Sequence, residues 1–131
     1  MGICNLRHLA GELALRKTVF ERYFENLSEV EGLTLLKVHD GIRQNYAYFP
    51  VLVEKERFGM DRDGLCAKLA DEDIYARKYF YPLVSENKEF EKDMTGNAPM
   101  AKYYSRSVVC LPMYAHLALA DVDRICEIIK R

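Results

Sequence analysis

The stretch YARKYFYPL, positions 75 to 83, crowds Arg77 and Lys78 among four aromatic rings and closes on Pro82 and Leu83. A lysine in such company raises the question of covalent chemistry. An amine that is partly neutral at pH 7 attacks carbonyls to form a Schiff base, and neutrality requires burial or a nearby positive charge. Arg77 supplies a charge. Adjacent residues of a strand point to opposite faces, however, so Arg77 and Lys78 are not expected to share one pocket. The sequence therefore predicts Lys78 to be a solvated strand lysine and not a nucleophile.

Nine tyrosines fall mainly in two clusters, 46 to 48 and 75 to 81, with Tyr103, Tyr104 and Tyr114 beyond. Tyrosine joins a flat apolar face to a hydroxyl, which suits stacking on a base or sugar ring while hydrogen-bonding its polar edge. Taken alone, the same residues more often serve cross-strand aromatic packing in a small core. His8, His39 and His116 lie on different predicted elements without metal-ligand spacing, so surface or capping roles are expected of them. No G-x-S-x-G, P-loop or G-x-G-x-x-G pattern occurs. Cys66 falls within a predicted helix and Cys110 in an apolar strand, where burial raises a thiol's pKa. No self-sufficient active site is recognisable.

These groups must be positioned by a chain of 131 residues, enough for a single core and one domain. Half of its residues are apolar and 30% are charged, the composition of a globular protein and not of a disordered tail. The net charge of −1, with no basic block, lacks the electrostatic footprint of a nucleic-acid binder. Four scattered cysteines form no C-x-x-C pair and no secretory segment precedes them, so reduced thiols and a cytoplasmic location are expected. The apolar runs fall far short of the roughly 20 residues that span a bilayer.

Ile3, Leu6, Leu9, Leu13, Phe20, Phe24 and Leu27 repeat at helical spacing and predict one long opening helix. It has no N-cap ahead of it, which suggests that Met1 is an artificial or internal beginning. Gly32 permits a turn. Leu33 to Val38 reads as a short strand. NYAYFPVLVE alternates as a second, with Ala47, Phe49, Val51 and Val53 on one face and Tyr46, Tyr48, Pro50 and Leu52 on the other. Pro50 has no amide to donate, which predicts an edge strand or a bulge.

Asp61 is placed to cap a helix carrying Leu65 and Leu69, with Gly64 a weak point in it. Ile74 to Tyr79 reads as a further strand. Residues 84 to 96 form a polar surface excursion, the most mobile segment expected, with a helical turn around Phe90. Asn97 before Pro99 starts another helix to about Ser105. SVVCLP is a buried strand, and Val122, Ile125, Cys126 and Ile129 stripe a last helix. The expected fold class is α+β, a two-layer α/β sandwich of a small, mostly antiparallel sheet with helices on one face.

Several stretches, GICNLRHLAGELALRKTVFERYFENL, GLTLL, NYAYFPVLV, RDGLCAKLADEDIYARKYFYPL and APMAKYYSRSVVCLPMYAHLALADVDRICEIIKR, together resemble the C-terminal portion of the DegT/DnrJ/EryC1/StrS family. These are sugar aminotransferases that depend on pyridoxal phosphate (PLP), and the resemblance covers essentially the whole chain. It implies that residues 1 to 131 are a small domain, the larger N-terminal domain with its PLP lysine being absent, so that no catalytic and no cofactor-binding residue is expected here. It implies that Arg77, Tyr79, Phe80 and Tyr81, with the strand at Tyr46 and Tyr48 beside them, lie near a nucleotide-sugar substrate. Many relatives carry a histidine soon after the Pro-Leu; Val84 and Ser85 stand here instead, which removes the basis for a histidine contact.

For the complete protein the resemblance implies a homodimer that moves an amino group from glutamate, by way of PLP, to a nucleotide-linked 4-keto-6-deoxyhexose, the cofactor acting as electron sink. For this chain alone it implies no PLP and no turnover. Two other readings are a free-standing module that binds a nucleotide or sugar in its tyrosine cleft, and a dimerisation domain that uses the long helix.

Overall fold

The computed structural model describes residues 2–89 and 98–131. Helix α1, Gly2–Leu27, is followed by strands β1, Leu33–Leu35, and β2, Phe49–Val53. A single helical turn, α2, Lys55–Phe58, leads into α3, Arg62–Ala70. Then come a 3-10 turn at Val84–Glu86, helix α4, Pro99–Ser107, strand β3, Val108–Leu111, and helix α5, Leu119–Lys130. The three strands form an antiparallel sheet in the order β1-β2-β3. This is the α+β sandwich expected from the sequence.

Register decides what each sheet face carries. Phe49 lies opposite Leu111, Val51 opposite Val109 and Leu35, and Val53 opposite Leu33. Directly paired residues share a face, so these apolar side chains form one surface. Helix α1 lies against it through Phe20 and Tyr23, whose rings both come to 4.9 Å from that of Phe49. Helix α5 completes the layer with Val122, Ile125, Cys126, Ile128 and Ile129, all buried, and α3 contributes Leu65 and Leu69. The opposite face carries the Pro50–Cys110 pair.

Pro50 corrects the expectation of an edge strand. It sits in the central strand, opposite Cys110. The amide and carbonyl of Cys110 are both bonded to Arg77, on the far side of β3, so Pro50 and Cys110 form a pair without mutual hydrogen bonds and the Pro50 nitrogen faces β1. There it has no hydrogen to give, and the β1 ladder stops one pair earlier, at Leu35 opposite Val51. This is why the strand expected over 33–38 ends at Leu35. The alternation expected from Tyr46 also begins only at Phe49, because Tyr46 adopts φ 49° and breaks the extended run.

The strand expected over Ile74 to Tyr79 shrinks to one antiparallel bridge between Arg77 and Cys110, with backbone bonds of 2.9 and 2.8 Å. Strand β3 has only four residues, and Pro82 cannot extend a ladder. Gly32 performs the expected turn at φ 78°, and its carbonyl accepts from the Glu54 amide at 2.8 Å. A Cβ there would also fall 2.7 Å from the Phe58 Cα. Helix α3 is capped as predicted, the Asp61 carboxylate accepting from the Gly64 amide at 2.9 Å. The cap position of α4 is Ala98, with Pro99 in the first turn. Phe90 and Asn97, where the sequence predicts a helical turn and a helix start, lie outside the described residues. Among the described residues no helix is long and apolar enough to cross a membrane.

Candidate functional site

The Arg77–Cys110 bridge hangs the segment after α3 on the outer edge of β3. One residue pair further on, Arg77 Nη1 donates to the Tyr79 hydroxyl oxygen at 2.9 Å. The Tyr79 ring meets that of Tyr48 edge-on, with centroids 5.2 Å apart and planes at 75°, and Phe80 lies beside it at 5.3 Å. Arg77, Tyr79 and Tyr48 line a cleft of about 460 Å³, together with Tyr75, Pro112 and Tyr114. Because the Tyr79 oxygen accepts from Arg77, its own proton can donate to a third partner. The guanidinium has further N–H groups in a planar fork, which suits a phosphate or carboxylate. The cleft thus joins a bidentate cation and a hydroxyl donor to flat aromatic walls.

The six residues expected near a substrate do not all meet here. Arg77, Tyr79 and Tyr48 do, and Phe80, 78% exposed, stands at the rim. Tyr81 turns to the other side of the segment and lies over the Arg62 guanidinium, 4.9 Å from carbon to ring centroid. Tyr46 turns toward α1, its ring 5.3 Å from that of Phe20. It lines a separate surface cleft of about 640 Å³ with Lys17, Phe24 and Val38.

Lys78 points away from Arg77, as strand geometry requires, and its Nζ lies 2.6 Å from Asp63 Oδ1. Asp63 is also bonded by Arg62 Nε at 2.7 Å. The bond from Lys78, followed by the positive field of Arg62, holds the Asp63 carboxyl below its ordinary range against a partial loss of solvation.

Arg62 was not singled out in the sequence, yet it is 1% exposed. Besides Asp63 and Tyr81, its Nη1 donates to the carbonyl oxygens of Ser105 at 2.9 Å and Val108 at 3.3 Å. It ties the start of α3 to the junction of α4 and β3. A signal was present: Arg62, Leu65 and Leu69 stand three and seven apart, so the arginine shares the helical face of the two core leucines. Arginine's usual exposure hides this when residues are read by type.

Burial raises the thiols of Cys66 and Cys110 above the ordinary value and pushes Cys126 up to about 12. His116 Nε2 lies 3.3 Å from a Glu12 oxygen. Among the described residues no three His, Cys, Asp or Glu side chains converge as metal ligands.

With this geometry in hand, similarity to known proteins is specific. A dTDP-4-amino-4,6-dideoxy-D-glucose transaminase of Escherichia coli is 31% identical over 131 residues, spanning 98% of this chain and 35% of that enzyme. A crystal structure of DesI in the presence of its TDP-sugar product superposes with a TM-score of 0.91 at 20% identity, over 99% of this chain and 33% of that one. A GDP-4-keto-6-deoxymannose-3-dehydratase with a trapped PLP-glutamate geminal diamine superposes at 0.84 and 17% identity, over 98% of this chain and 34% of that one. This chain thus spans about a third of the length of the curated relatives it matches. Residues 1–130 match the DegT/DnrJ/EryC1/StrS aminotransferase family, and the chain belongs to that family.

Proposed function

We propose that the chain is the substrate-side small domain of a PLP-dependent transaminase, and that the complete protein moves an amino group from glutamate to a nucleotide-linked 4-keto-6-deoxyhexose. The observation that carries this reading is the Arg77–Tyr79 pair, 2.9 Å apart in a tyrosine-lined cleft, in a chain 31% identical to a dTDP-4-amino-4,6-dideoxy-D-glucose transaminase of E. coli. Arg77 holds a phosphate oxygen of the nucleotide, the Tyr79 hydroxyl donates to the sugar, and the faces of Tyr48 and Phe80 exclude water from one side.

The residues present do not by themselves fit PLP. Among the described residues the lining of the Arg77 cleft includes no lysine, and Lys78 is engaged by Asp63 on the opposite side of the segment. The chain alone therefore orients substrate and performs no transamination, which requires a lysine from a part of the protein outside these residues. When bound there, the cofactor supplies the electron sink.

The test compares the 131-residue chain with the same chain joined to its upstream coding sequence. The joined protein is expected to convert dTDP-4-keto-6-deoxyglucose with glutamate, and Arg77→Lys is expected to lower its kcat/KM about tenfold, as loss of one bidentate contact does. The chain alone is expected to show neither turnover nor a PLP adduct. A stoichiometric, lysine-dependent adduct on the isolated chain would overturn the reading, as would full activity in Arg77→Lys.

A further inference from the structure

The segment bearing Arg77 and Tyr79 is held by side chains on both of its sides. After the Arg77–Cys110 bridge, no backbone hydrogen bond joins residues 78–82 to another element among the described residues. Side chains fix the segment instead. On the cleft side it has Arg77 on Tyr79 and Tyr79 on Tyr48. On the reverse side it has Lys78 on Asp63 and Tyr81 on Arg62. Both reverse contacts end on two consecutive residues of the first turn of α3.

That turn is well anchored. Asp61 caps it, Leu65 and Leu69 are in the core, and Arg62 is bonded to the carbonyls of Ser105 and Val108. A buried guanidinium is costly unless its hydrogen bonds are met, and here they are met by groups that define where β3 begins. The aromatic segment and the strand that carries its only bridge are therefore located by the same side chain.

We propose that Arg62 and Asp63 form a clasp that positions Arg77 and Tyr79 in the cleft: Asp63 grips Lys78 ahead of the turn at Tyr79 and Phe80, Arg62 grips Tyr81 behind it, and Tyr79, between the two grips, is left facing Arg77 and Tyr48. Lys78 is then a positioning residue whose charge serves geometry. The inference rests on the reading of the Arg77 cleft as the ligand site only for its functional meaning, since the clasp is a statement about where Tyr79 sits.

The test is fluorine NMR of the chain labelled with 3-fluorotyrosine, with Tyr79 assigned through Tyr79→Phe and the core Tyr23 through Tyr23→Phe. In Lys78→Met and in Asp63→Asn the Tyr79 resonance is expected to leave its wild-type position and broaden, while Tyr23 stays. Lys78→Arg is expected to restore it, because the ion pair survives. The double variant is expected to shift Tyr79 no further than either single one, the signature of two residues acting through one contact.

If Asp63→Asn also displaces Tyr23, the fold has been disturbed and Lys78→Met, which leaves Arg62 bonded to Asp63, decides alone. A Tyr79 resonance unmoved in Lys78→Met overturns the clasp, and so does a Lys78→Arg variant that behaves like Lys78→Met. Failure of the ligand reading shows separately, in the Arg77→Lys assay of the joined protein, which touches neither Asp63 nor Lys78.

Discussion

Arg77 and Lys78 are neighbours in sequence with opposite duties, and the cause is simple. Extended backbone sends one to each side, so the guanidinium meets Tyr79 and the amine meets Asp63. A Lys78→Met variant of the joined protein is accordingly expected to keep its PLP adduct, observed as the cofactor's absorbance, while its KM for nucleotide sugar rises more than its kcat falls. Gly32 makes a second single-residue case. At φ 78°, with the Phe58 Cα 2.7 Å from where a Cβ would stand, Gly32→Ala carries both backbone strain and a clash with main chain that cannot rotate away. A loss of about 2 kcal/mol or more is expected, measured by urea denaturation.

Among the elements, α1 and α5 are joined outside the core by one charged contact. Arg22 Nε and an Nη reach the two Asp123 oxygens at 2.7 and 2.8 Å, and Asn26 adds a third bond. The bond from Arg22, then that from Asn26, holds the Asp123 carboxyl below its ordinary 3.8. A depressed folded-state carboxyl contributes stability that is fully present above the unfolded value and is lost as pH falls through the folded one. Asp123→Asn is therefore expected to lower Tm at pH 7, and the gap to wild type is expected to close as pH drops below about 3.8. A gap that persists unchanged in acid would assign the effect to packing. Inside the same layer, Leu69 is fully buried, and Leu69→Ala is expected to cost about 2–5 kcal/mol.

The molecule as a whole has a core that is complete at one end of α1 and absent at the other. Val19, Phe20, Tyr23 and Leu27 are buried, whereas Ile3, Leu6 and Leu9 are 75%, 67% and 45% exposed. One cooperative unfolding transition is expected, because the buried residues form a single cluster. The apolar stripe of α1 is expected to promote concentration-dependent association of the isolated chain, seen by sedimentation. Leu6→Glu is expected to reduce that association without lowering Tm, since residue 6 lies outside the core.

Periodicity and punctuation made the helices legible. The stripe of α1, the Asp61 cap and the apolar spacing of α5 are local signals, written within a few turns of chain, and each appears where it was expected. Strand ends were less legible because a strand lasts only as long as its partner can bond. Pro50 stops β1 from across the sheet, and the short β3 leaves Ile74 to Tyr79 with a single bridge. The composition of the cleft, arginine amid tyrosines, was likewise visible in the order of residues. Its membership was not. Tyr46 departs through a left-handed backbone, Tyr81 is drawn to the opposite side, and both choices depend on Phe20 and Arg62, distant in sequence. Residue order carries what neighbours along the chain can enforce through covalent geometry; which rings share a pocket is set by contacts that exist only once α1, α3 and β3 have packed.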